Sequence, residues 1–147
     1  MASKTFELEQ VLVYRREMEK LRKQEFAAAR QGLEEANQEL KHEEELVGLL
    51  TQEFQCCQQK MECVDDLRMY SNFFARKREE INQQKVRVEE LENISNEKRA
   101  DLLEASKDKK VLESLKVKKA AEFRQFIATR ERNFLDEISI QKKVVPT

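Results

Sequence analysis

Three groups of residues in this chain are of types that carry chemistry. Adjacent carboxylates occur at Glu34-Glu35, Glu79-Glu80 and Glu89-Glu90. General acid/base work needs two carboxyls whose environments drive their proton affinities apart. Neighbours on a helix point in different directions, so these pairs read as solvated faces. The cysteines are Cys56, Cys57 and Cys63, with the single histidine, His42, fourteen residues before the first. A zinc site wants spaced Cys or His ligands, as in CxxC, and none is present. The expectation is therefore no metal site, with reduced thiols and Cys57 on an apolar seam. The third group is a lysine cluster between 107 and 119, the pattern that contacts phosphates or acidic proteins. Asp108 and Glu113 interrupt it, no aromatic residue interleaves it, and the chain's pI is near 6.0. That excludes a nucleic-acid binder as the expectation. Phosphate-cradling glycine loops, GxSxG and HExxH are all absent, so the chain reads as non-enzymatic and without a cofactor.

The elements that would position such residues are helices. Of 147 residues, 39% are charged, only two are Gly and one is Pro. A compact α/β or all-β domain needs more turn formers than that. High charge also permits disorder, but here the signs alternate, the net charge is −1 and apolar residues keep a period. No apolar run approaches membrane-spanning length and the first residues lack a signal-peptide core, so a soluble, cytosolic chain without membrane insertion is expected.

From Leu33 the steps alternate between three and four: Leu33, Ala36, Leu40, Glu43, Val47, Leu50, Phe54, Cys57, Met61, Val64. This is a heptad seam with one flaw, Glu43. Upstream, the apolar residues Val11, Tyr14, Met18, Leu21 and Ala28 suggest a seam out of phase with it, with a slip near 26–29. Gly32 and Gly48 lie inside the pattern and suggest either a close backbone approach or a bend. A first helix over about 5–60, a turn at about 61–65 and a second helix over about 66–140 follow, with a short disordered tail. Asp65, Asp66 and Ser71 are candidate caps, and Lys142 and Lys143 suit a helix C-terminus. The alternative is one uninterrupted helix of about 200 Å. A long amphipathic helix must bury its stripe, which favours the hairpin. The expected fold is thus all-α, a single long antiparallel two-helix coiled-coil hairpin whose second helix is longer than its first.

Folding back near residue 62 places Phe54 near Phe73, Leu33 near Leu91 and Leu8 near residue 117. Residues beyond about 120 then have no opposite number, leaving Phe123, Ile127, Phe134, Leu135 and Ile138 on an overhang suited to docking. Charge is uneven as well. Residues 1–23 carry six Lys/Arg against four Glu (+2), residues 24–105 eleven against nineteen (−8), and residues 106–147 eleven against six (+5). In a hairpin both basic segments share the end that holds the termini, a polarity that can steer docking.

The segment KDKKVLESLKVKKAAEF (107–123), with Glu131 and Leu135-Asp136-Glu137-Ile138 after it, resembles the C-terminal half of the FliJ family. DLRMYSNFF (66–74) is similar to the start of that family's second helix. The resemblance covers nearly the whole chain. It implies a soluble coiled coil of the bacterial flagellar type III protein export apparatus, similar to the stalk of rotary ATPases and serving motility. It also implies docking in the hexameric export ATPase, contact with the cytoplasmic platform of the export gate, and escort of export chaperones. Such a protein would lie in the cytoplasm, peripherally at the inner face of the cell membrane. On this footing Lys109, Lys110, Lys116, Lys118, Lys119, Phe123, Arg124 and Ile127 are the expected ATPase contacts. Leu50, Phe54, Tyr70 and Phe73 are the expected gate or chaperone contacts, with ordinary seam packing as the alternative for all four. A monomeric hairpin is expected. The competing readings are a homodimeric structural scaffold and a hairpin chaperone for unfolded clients.

Overall fold

The computed structural model describes residues 6–60 and 64–144. Two antiparallel helices account for almost all of them, α1 (Glu9–Cys57) and α2 (Val64–Val144), with a short 3-10 turn at Gln58–Lys60 after α1. The second helix is the longer, at 81 residues against 49. No strand occurs among the described residues. The expected turn falls largely on residues 61–63, outside the described residues.

Helix starts and stops follow local chemistry. The Glu9 N–H donates to the Phe6 carbonyl at 3.0 Å, giving α1 its first turn. Asp65 and Asp66 sit within the first turn of α2 rather than before it. There their carboxylates face the positive end of the helix dipole, and they act through charge rather than as caps. Ser71 lies inside α2, and Lys142 and Lys143 occupy its last turn, where cations are favoured.

The chain divides into two compact units, residues 1–20 with 104–147 and residues 21–103. In each, a stretch of α1 packs antiparallel on a stretch of α2. In the first unit Leu12 is completely buried and Leu112 nearly so, and these are the only buried hydrophobic residues among those described. In the second unit the seam of α1 is the one expected from Leu33 onward, and the Phe54 ring lies 5.2 Å from Tyr70 and 5.9 Å from Phe74 between centroids. The expected neighbour Phe73 instead meets Phe74, at 6.2 Å.

The upstream seam differs from the apolar one expected. Val11, Tyr14 and Leu21 are exposed, whereas Leu12 and Glu19 are buried and Arg15, Arg22, Phe26 and Ala29 half-buried. These inner positions step by three and four without a break into Leu33, so the heptad runs through with no phase slip. The sequence pattern misled because charged residues occupy the inner face there. Their partners are described below.

Neither glycine is needed where it stands. A Cβ built at Gly32 or Gly48 meets nothing within 4 Å, and no described residue has positive φ. The close backbone approach is therefore not made. Gly48→Ala should raise stability to urea by up to about 1 kcal/mol, the helix-propensity difference. Leu12→Ala should lower it by about 2–3 kcal/mol, the cost of a cavity in a small core. Urea titration followed by circular dichroism checks both signs.

Candidate functional site

The first unit holds the basic cluster, and its lysines separate into two kinds. Lys109 lies on the inner face of α2, its side chain 21% exposed, with Nζ 2.9 Å from Glu19 Oε2 and 3.0 Å from Oε1. Glu19 is itself buried. A buried carboxylate is costly without a cation at contact distance, so Lys109 is engaged by the helix pair itself. Lys116 is half spent in the same way, with Nζ 2.8 Å from Glu9 Oε2. Lys110 and Lys118 are exposed, and no ion pair among the described residues engages either. Lys119 is exposed, with Glu122 at 4.0 Å, a distance worth little in water.

Around them the unit is closed by polar contacts where a leucine seam would be apolar. Arg15 donates to the Asp108 carbonyl at 2.9 Å, and Arg16 Nε to Glu113 Oε1 at 3.4 Å. Beyond Lys119, α2 continues without α1 beside it. Phe123 is 40% exposed, Phe126 58%, Phe134 62% and Leu135 64%. Ile127 and Ile138 are half-covered. Arg124 is exposed, its Nε donating to the Ala120 carbonyl at 3.5 Å.

In the second unit Leu50, Phe54, Tyr70 and Phe73 are all half-buried. Phe54 and Tyr70 face each other across the helix pair, and Phe73 carries the Arg76 guanidinium and the Lys77 ammonium each 5.8 Å from its ring centre. Lys77 also bridges Glu43 at 3.0 Å and Glu80 at 3.2 Å. The flaw in the heptad, Glu43, is thus one half of a cross-helix ion pair. Lys98 reaches Glu25 at 3.5 Å, and Arg22 reaches the same carboxylate at 3.0 Å.

These contacts move two proton affinities. The hydrogen bond from Arg22, aided by the charge of Lys98, lowers the Glu25 pKa below its usual value. Hydrogen bonds to Glu43 and then Glu80 raise that of Lys77. Arg15, Glu19 and Arg22 are the inner residues that apolar patterning missed. Continuing the three-four steps backward from Leu33 through 29, 26, 22, 19, 15 and 12 finds them.

The described residues contain no group of three or more His, Cys, Asp or Glu that could hold a metal ion. Cys56 is exposed and Cys57 half-buried, both as free thiols, and Cys63 lies outside the described residues. No helix is long and apolar enough to cross a membrane among the described residues.

The family model described as Flagellar FliJ protein matches residues 3–143. The chain belongs to the FliJ family. A FliJ family protein is a component of the flagellar protein export apparatus, of the type III class, and the family is not one of known enzymes. No curated protein and no solved structure gives a significant match to the chain. The helical hairpin and the FliJ match agree on a coiled-coil export component.

The two shifted groups set a pH dependence for the second unit. Glu25, depressed when folded, contributes stability present above its usual pKa of 4.5 and lost as pH falls through the lower folded value. Lys77, raised when folded, contributes stability present below 10.5 and lost as pH rises through the higher folded value. The melting temperature should therefore fall at both extremes. Glu25→Gln should flatten the acid limb alone, and Lys77→Met the alkaline limb alone, in thermal melts followed by circular dichroism.

Proposed function

We propose that this protein is a non-enzymatic, stalk-like coiled coil of the flagellar export apparatus that docks as a hairpin in the hexameric export ATPase. The observation that carries the reading is the continuation of α2 beyond Lys119, past the start of α1 at Glu9. An exposed set of Phe123, Phe126, Phe134 and Leu135 directly follows the exposed lysines Lys110, Lys118 and Lys119. Cations beside ring carboxylates supply steering and orientation, and the apolar residues supply burial. Lys109 and Lys116 act on this surface indirectly, by holding α1 against α2 through Glu19 and Glu9. Phe123, Arg124 and Ile127 form its direct continuation.

The half-exposed set of Leu50, Phe54, Tyr70 and Phe73 is the proposed contact for the cytoplasmic platform of the export gate and for export chaperones. Tyrosine and phenylalanine with adjacent cations are the residue types that dominate binding energy at such surfaces. These contacts would hold the protein peripherally at the inner face of the membrane. Against a scaffold built from two parallel chains, the ion pairs Glu19–Lys109 and Glu43–Lys77 show each helix already paired within its own chain.

Immobilised full-length protein should capture a hexameric ATPase from native cytosol and stimulate its ATP hydrolysis. Reversing Lys110, Lys118, Lys119 and Arg124 to Glu should lower both by tenfold or more, the equivalent of about 1.4 kcal/mol. A chain ending at Lys119 should keep its helical signal and lose capture. Capture that survives the truncation overturns the assignment of the site.

A further inference from the structure

The overhang is chemically palindromic. About the bond between Arg130 and Glu131, Phe123 mirrors Ile138, Phe126 mirrors Leu135, Ile127 mirrors Phe134, and Arg130 mirrors Glu131. Apolar residues answer apolar ones, and the central cation answers an anion. At 3.6 residues per turn Phe123, Ile127, Phe134 and Ile138 share one narrow arc of α2, with Arg130 and Glu131 on its two flanks. Phe126 and Leu135 form the shoulders of that arc.

We infer that this segment is built to pair antiparallel with the same segment of a second copy of the chain. Laid antiparallel about that midpoint, the arcs bring Phe123 to the partner's Ile138 and Ile127 to the partner's Phe134. Two Arg130 and two Glu131 then gather round the two-fold axis in an overall neutral group. A parallel pair would instead set Arg130 level with Arg130 and Glu131 with Glu131. The paired stretch is roughly 24 Å long, about four turns. Helix nucleation, the usual obstacle for so short a segment, is already met because the segment continues a long helix.

Charge also selects this occupant over a strongly acidic one. Residues 120–144 carry five Lys/Arg and four Asp/Glu, so the segment is nearly neutral and of mixed sign, unlike the lysine cluster before it. A mixed-sign face with an apolar stripe is matched by another of the same kind. No ion pair among the described residues engages Arg130 or Glu131, and Phe134 and Leu135 are open to solvent. Pairing would cover the apolar surface assigned above to ATPase docking. That masking rests on the docking reading, whereas the pairing does not.

Sedimentation of the full chain over roughly a hundredfold range of concentration, without any ATPase, tests the pairing. The apparent mass should rise from one chain to two. Arg130→Glu and Glu131→Arg should each shift the midpoint at least about tenfold to higher concentration, because four like charges then meet at the two-fold. The double variant Arg130→Glu with Glu131→Arg should return to within about threefold of the original, since the charges are merely exchanged. Both side chains are exposed, so circular dichroism should show all variants equally helical. A chain that stays monomeric throughout, single reversals without effect, or a double variant as weak as the singles each overturns the proposal. The ATPase is absent from every arm, so failure here leaves the docking result to stand or fall separately.

Discussion

The register of the helix pairs in this protein depends on ions that face one another across the seam. Leu12 and Leu112 are the only fully buried hydrophobic residues among those described, and the rest of the apolar seam, from Leu33 through Phe54 on α1, is half-covered, as two helices alone leave it. The inner face of α2 carries Lys77, Gln84, Ser95, Lys98, Lys109 and Lys116 at heptad spacing, and α1 answers with Glu43, Glu25, Glu19 and Glu9. Desolvating such pairs offsets much of their attraction, so they add little net stability. What they add is discrimination. An unpaired lysine at the depth of Lys77 or Lys109 is costly, and pairing within the chain satisfies both.

That division of labour explains why these surfaces differ in character. Lysines on the inner face close the helix pair, while those on the outer face stand in solvent. A single run of basic residues between 107 and 119 is therefore sorted by helical phase. Lys109 and Lys110 are neighbours in sequence, yet one is held by a buried carboxylate and the other stands in solvent.

Much of this was legible in the residues alone. Scarcity of Gly and Pro, alternating charge and the regular seam from Leu33 give two long helices, and the excess length of the second gives the overhang. The inner face upstream of Leu33 was not legible from hydrophobicity, because Arg15, Glu19 and Arg22 stand where apolar residues normally do. Val11, Tyr14 and Leu21 form a regular stripe that points outward, a stronger apolar signal than the inner face itself. Phase continuity, rather than apolar content, was the informative property. Lys109 shows the same limit at the level of the site. Its residue type suggested an outside contact, and the buried carboxylate that it meets across the seam left no apolar signal to find it by.

The spacing of the cross-helix pairs also has a mechanical consequence. In the second unit, sliding α2 by one heptad along α1 would set Glu43 against Gln84, Glu25 against Ala105 and Glu44 against Glu92, in place of Lys77, Lys98 and Lys85. Sliding the other way would bring Tyr70 to Glu43 and Leu91 to Glu25, leaving only Glu44 with a cation, Arg78. A seam of leucines tolerates such steps because every heptad looks alike. Here the charges act as gear teeth of unequal pitch. A slip of one heptad in either direction gives up the Glu43 and Glu25 pairs, so the charges set how far each helix of this unit reaches along the other.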